Sequence, residues 1–259
     1  MKLLEVKNLT KKFGGLTAVN DVTFDVNQNE IVSLIGPNGA GKTTTFSMVT
    51  GIQPLTSGQI IFDGEDITNK PLSYIARKGM VTTFQKTKTF PNITVLEAVM
   101  IGAHTQTTTS VFDILRNSQH NRKEEKAIRD RACELLDYFN LAHRKNILCN
   151  NLSAGEKRVL QVAIAMALNP KLLLLDEPVA GLNPQESMNM MELIFGLRDK
   201  GTTILLIEHD MKLVMQISDR IVVINFGNKL AEGLPAEISA NEQVITAYLG
   251  ERDDEDVEG

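Results

Sequence analysis

The chain has only two cysteines among 259 residues, Cys133 and Cys149, and their spacing suits neither a metal nor a redox pair. That scarcity excludes a disulfide framework and a zinc site, so both are read as reduced, partly buried thiols. Long apolar runs are also lacking: no stretch approaches the ~18 residues that a spanning helix needs. The opening, Met1-Lys2-Leu3-Leu4-Glu5-Val6-Lys7, is too charged for a secretory signal, and a cytoplasmic chain is expected. No basic surplus exists. The formal net charge is −5, and the last nine residues hold six acids and one base, so the tail carries the whole imbalance. A neutral body without a basic run gives no electrostatic footprint for nucleic acid. Residues 251–259 are expected to form an acidic, solvated and disordered end. Repeats of solenoid length and sustained heptads are absent as well. What remains is a chain with 42% hydrophobic residues, suited to one large α/β unit with a subdomain.

Glycine is concentrated where it carries chemistry. Gly36-Pro37-Asn38-Gly39-Ala40-Gly41-Lys42-Thr43 fits the phosphate-binding pattern G-x-x-x-x-G-K-[ST]. Glycines let the backbone curl into a concave nest whose N–H groups face a polyphosphate, and the following helix adds its positive end. Lys42 would reach the β- and γ-phosphates, and Thr43 would ligand Mg²⁺. The context agrees: residues 31–35 form a short β-branched apolar run, and residues 44–50 can open a helix.

Short strands and turns alternate up to about residue 62, with apolar segments at 3–6, 22–26, 31–35 and 59–62, which reads as an edge sheet beside the phosphate loop. From 95 to 168 the pattern becomes helical, broken by a polar stretch at 104–110 and a charged run at 122–131. Residues 172–175, 203–207 and 221–224 are then continuous apolar runs separated by helix-length segments, the mark of a mainly parallel sheet buried on both faces.

The run Leu172-Leu173-Leu174-Leu175 ends in Asp176-Glu177-Pro178, so two carboxylates emerge at a buried strand end. Asp176 is assigned to Mg²⁺ and Glu177 to the water that attacks the γ-phosphate. Asn151-Leu152-Ser153-Ala154-Gly155-Glu156-Lys157 precedes a helical segment and offers an anion-favouring helix start. Ser153 and Glu156 also read as a capping box.

These three stretches, in this order and with a helical segment between the first two, resemble the nucleotide-binding domain of ATP-binding cassette (ABC) transporters across nearly the whole chain. The resemblance implies an α/β fold: a P-loop NTPase (RecA-like) core over residues 1–250, with an N-terminal antiparallel β subdomain and a helical subdomain inserted at about 95–168. It implies that ATP contacts Gly36, Pro37, Asn38, Gly39, Ala40, Gly41, Lys42, Thr43 and Thr44. Ser153, Ala154, Gly155 and Glu156 of a second ATPase subunit, paralogous or identical, would contact it in a head-to-tail dimer. Gln85, in Val81-Thr82-Thr83-Phe84-Gln85, matches the family's glutamine loop, which senses Mg²⁺ and the γ-phosphate. His209, in Glu208-His209-Asp210, matches the switch histidine. Phe13 matches the aromatic that stacks on adenine, and a core-packing role accounts for it equally.

The sequence departs from the family at three places: Ala154 and Glu156 stand where glycine and glutamine are common, and Asn183 stands where the loop usually ends in aspartate. Within the family, residues 12–19, 85–95, 180–184 and 207–215 resemble the ATPases of bacterial importers for branched-chain amino acids. That branch implies separate permease subunits, a periplasmic binding protein and a peripheral position on the inner face of the plasma membrane. Residues 86–97, with Phe90, Pro91, Ile93 and Val95, would face the permease. Importers of urea or short amides and exporters of lipopolysaccharide would share every catalytic residue, and a soluble ABC protein is a more distant alternative.

Overall fold

The computed structural model describes residues 1–83, 92–104 and 119–255, with backbone alone at 104, 119–124 and 249–255. Two compact units result: residues 1–82, 171–177 and 194–259 form the first, and residues 83–170 and 178–193 form the second.

The first unit holds two sheets. β1 (Lys2–Phe13), β2 (Leu16–Asn27), β4 (Ser57–Phe62) and β5 (Glu65–Asp66) form an antiparallel sheet in the order β2-β1-β4-β5. The apolar cores at 3–6 and 22–26 grow into twelve-residue strands, because Leu9 and Val19 remain buried further along while the charged residues between them face outward. β1 and β2 turn at Gly14-Gly15, which sets Phe13 opposite Leu16.

The second sheet runs β10-β9-β3-β8-β7-β6, from β3 (Ile31–Ile35), β6 (Met80–Thr82), β7 (Leu172–Asp176), β8 (Thr203–Ile207), β9 (Arg220–Asn225) and β10 (Asn228–Gly233). All neighbours are parallel except β10, which returns along β9 as an antiparallel edge. The expected parallel sheet is present, and burial on both faces explains its unbroken apolar runs. Val32, Leu34, Val222 and Ile224 pack into the core shared with Leu4, Phe24 and Phe46, whereas Ile35, Ile221 and Val223 face Val214, Ile238 and Val244. Each fully buried side chain of this size contributes about 1.5–3 kcal/mol.

In the second unit, helices Val95–His104, Gln119–Tyr138 and Ala154–Ala167 form the described helical body. A Cβ at Gly102 would lie 2.8 Å from the Ile164 carbonyl oxygen, so a hydrogen there lets the first and last of these helices touch. Thr94 caps the first helix, its N–H and hydroxyl both donating to Glu97 at 2.7 and 2.8 Å.

Helix Glu242–Glu255 continues through residues 251–255, because a helix begun in the apolar segment around Val244 propagates at the cost of one residue per hydrogen bond. Residues 256–259 lie outside the described part. No described helix is long and apolar enough to cross a membrane.

Candidate functional site

The phosphate loop leaves β3 and enters helix Lys42–Val49 in the first unit. Two glycines make its path possible. A Cβ at Gly36 would lie 2.0 Å from the Ile224 carbonyl oxygen, and one at Gly41, where φ is 101°, would lie 2.8 Å from the Ala18 carbonyl oxygen. Only a residue without a side chain lets the loop press on β9 and the β1–β2 hairpin. Lys42 is 9% exposed, and its Nζ donates to the carbonyls of Gly36 at 2.6 Å and Pro37 at 2.8 Å. The loop thus holds its own cation at its centre. The helix start has no side-chain cap, and the positive end of a helix dipole favours an anion.

Around the loop lies a cleft of about 410 Å³, lined by Leu16, Thr17, Ala18, Asn38, Gly39, Ala40, Gly41, Lys42, Thr43, Thr44, Glu177, Phe226 and Gly227. Its size falls within the ~300–1,000 Å³ of small-molecule sites. Asp176 ends β7 opposite Ile207 of β8, half-buried. At Glu177 the chain turns into the left-handed region, with φ 47°, while its N–H donates to the Ile207 carbonyl at 3.0 Å. This conformation costs a non-glycine residue about 1–2 kcal/mol. The strain places the carboxylate at the cleft rather than along the strand.

β8 delivers His209 to the same place. Its Nδ1 stands 3.7 Å from Glu177 Oε1 and 3.9 Å from Glu208 Oε2. Glu208 is 2% exposed and accepts from the His209 N–H at 3.2 Å, and Asp210 caps the next helix by accepting from the Lys212 N–H at 2.9 Å. Backbone on both sides of His209 is therefore pinned while the imidazole stays exposed.

The structure brings residues 38–44 and Glu177 into one cleft, with His209 beside Glu177, whereas Gly36, Pro37 and Asp176 are outside its lining. It does not bring Phe13 into the cleft lining; that ring faces Lys11 Nζ at 5.0 Å from its centroid. Gln85, Phe90 and Pro91 lie outside the described residues. Phe226 and Gly227 line the cleft without having been singled out in the sequence. The turn composition of Asn225-Phe226-Gly227-Asn228 marks a hairpin there, but nothing local places it beside the phosphate loop.

The second unit carries the Ser153 motif. Ser153 caps helix Ala154–Ala167: its Oγ accepts from the Glu156 N–H at 3.1 Å, and Glu156 Oε2 accepts from the Ser153 N–H at 2.9 Å. Arg144 Nε donates to the other carboxylate oxygen at 2.7 Å. Burial works to raise the Glu156 carboxyl, but the Ser153 N–H and the Arg144 guanidinium outweigh it and hold the group below the usual range. Arg144 thereby offsets the negative charge that glutamate introduces at this helix start. Ala154 points its methyl outward and is exposed.

Asn183 retains the cap expected of an aspartate at helix Pro184–Asp199. Its Oδ1 accepts from the Glu186 N–H at 2.9 Å, and Glu186 Oε2 accepts from the Asn183 N–H at 3.0 Å. The other oxygen of Glu186 lies against Gly155, where a Cβ would meet it at 2.6 Å. Ser153, Gly155, Glu156, Glu186 and Asn189 share a second cleft of about 260 Å³ with apolar Phe139, Leu141 and Leu182.

The family described as ABC transporter matches residues 19–180, and the one described as branched-chain amino acid ATP-binding cassette transporter matches residues 228–254. The chain is 47% identical to the high-affinity branched-chain amino acid transport ATP-binding protein LivG of Salmonella typhimurium, covering 96% of this chain and 98% of that protein. Identity to the lipopolysaccharide export system ATP-binding protein LptB of Haemophilus influenzae is 37%, covering 97% and 99%. Among solved structures, it is similar to an ATP-binding cassette of an ABC transporter in its ADP conformation, with TM-score 0.84, 31% identity and coverage of 96% and 99%.

Proposed function

The chain belongs to the ABC transporter family, and from that premise we propose that it is the ATP-hydrolysing subunit of an importer for branched-chain amino acids. The observation that carries the substrate is the match at residues 228–254, supported by greater identity to LivG than to LptB.

The loop N–H groups and Lys42 bind the triphosphate, the lysine already centred by the carbonyls of Gly36 and Pro37. Thr43 and Asp176 offer oxygen donors alone, the set a hard cation such as Mg²⁺ takes, and the ion held there would neutralise phosphate charge. Glu177 accepts the proton of the attacking water, and its backbone strain holds it ready for that water. His209 contacts the γ-phosphate beside it, and Gln85 senses the same group. Phe13 approaches adenine from the hairpin whose Leu16 lines the cleft.

Ser153, Ala154, Gly155 and Glu156 serve the nucleotide of a second ATPase subunit, so ATP bridges two chains and stabilises their closed dimer by binding it preferentially. Hydrolysis removes the bridge. Separate permease subunits receive that motion at the inner face of the membrane.

The test is uptake of labelled leucine by cells lacking the gene and by the same cells carrying wild-type or Glu177→Gln protein, with urea in parallel. Uptake restored by the wild type alone supports both the substrate and hydrolysis at Glu177. The Glu177→Gln protein should bind ATP but turn it over about 10²–10⁴-fold more slowly, the contribution of a positioned general base. Leucine uptake independent of the gene removes the substrate assignment, and wild-type turnover in the variant moves catalysis to another residue.

A further inference from the structure

We propose that Phe226 forms an aromatic wall of the nucleobase subsite, contributed by the β9–β10 turn. The proposal rests on residues 36–43 being the triphosphate site and adds a specificity-determining contact to it.

Phe226 is 86% exposed, so its ring gains almost nothing from folding. Its backbone is also in the left-handed region, with φ 45°, followed by Gly227 at 75°. A two-residue turn with both φ values positive favours asparagine and glycine at these positions. A large aromatic there is costly on both counts, and neither the turn nor the core accounts for it.

The ring's location does. Phe226 lines the cleft of the phosphate loop, and its turn is tied to that loop: the Gly227 N–H donates to the Ala40 carbonyl at 2.9 Å. The Asn20 N–H donates to the Gly227 carbonyl at 2.8 Å, and Asn228 Nδ2 donates to the Phe226 carbonyl at 2.8 Å. The ring is thus carried on backbone fixed relative to Lys42. The cleft lining combines loop residues and Lys42 with Glu177 and with the exposed apolar side chains of Leu16, 67% exposed, and Phe226. A ligand with a polyphosphate and a flat aromatic group matches that mixed lining. The base of a nucleoside triphosphate would stack on Phe226.

The experiment compares binding of ATP and of inorganic tripolyphosphate by calorimetry for wild-type, Phe226→Ala and Phe226→Asn proteins. Base stacking on an aromatic side chain predicts that ATP Kd rises about tenfold in both variants. Tripolyphosphate, which has no base, keeps its wild-type Kd. Phe226→Asn suits the left-handed turn and raises the melting temperature while losing ATP affinity, which a purely structural role would not do. The natural chain has no tryptophan, so Phe226→Trp supplies a single indole whose emission changes with ATP and not with tripolyphosphate. Unchanged ATP affinity in the alanine and asparagine variants overturns the proposal. Equal weakening of both ligands overturns it too, because Phe226 would then shape the phosphate loop instead. If the wild type binds neither ligand, the reading of residues 36–43 fails and takes this proposal with it.

Discussion

A methyl group added at Gly155 should destabilise the protein only while Glu186 is present. Built on the backbone, the new Cβ falls 2.6 Å from Glu186 Oε1 and 2.9 Å from its Cδ. The carboxylate is not free to swing away, because its other oxygen and the Glu186 N–H are both engaged with Asn183. Gly155→Ala therefore displaces Glu186 and opens the cap of helix Pro184–Asp199. Losing that cap costs about 1 kcal/mol. Residual crowding adds about 1 kcal/mol. Alanine returns about 0.5 kcal/mol of helix propensity, less than mid-helix because the site is in the first turn. The net cost is about 1.5 kcal/mol, a fall in melting temperature of roughly 3–6 °C for a chain of this size. Glu186→Ala alone loses the cap and little else, about 1 kcal/mol. In that background Gly155→Ala meets no carboxylate and should stabilise by about 0.5 kcal/mol. Thermal melts of the four proteins close a double-mutant cycle with a coupling of about 2 kcal/mol. Equal destabilisation by Gly155→Ala in both backgrounds would refute the reasoning.

Lys42→Ala should weaken ATP binding about a hundredfold, because phosphate charge loses a fixed, hydrogen-bonding cation. Calorimetry checks this, and undiminished affinity would place the phosphate site elsewhere. Arg144→Met should cost less than about 1 kcal/mol at pH 7, since the ion pair is partly exposed. Glu156 has a depressed folded-state carboxyl, so its stabilisation is present above the unfolded pKa and lost as pH falls through the folded one. The difference between wild type and Arg144→Met in urea melts should shrink as pH falls below the ordinary glutamate range and Glu156 protonates. A gap that stays constant to lower pH would show that Arg144 acts through packing rather than charge.

Most of the cleft around Lys42 was legible because its determinants are contiguous. Gly36 and Gly41 belong to the same short loop as the Lys42 they position, and Asp176-Glu177 follow directly on the buried leucines of β7. The buried runs of β3, β7, β8 and β9 were legible for a similar reason: a strand covered on both faces must be apolar throughout. β10 was not, since an edge strand of sequence Asn-Lys-Leu-Ala-Glu-Gly has no such constraint.

Residue types, loop chemistry and family membership were thus determined by the sequence itself, because each rests on short segments whose backbone demands are met locally. The tertiary structure decided which distant residues complete them. Parallel pairing of β7 with β8 sets His209 beside Glu177, and β9 beside β3 brings Phe226 to the phosphate loop. Arg144 neutralises Glu156 and Glu186 closes over Gly155 only after the chain has folded. Such contacts depend on strand order and helix packing, which spacing along the chain does not encode.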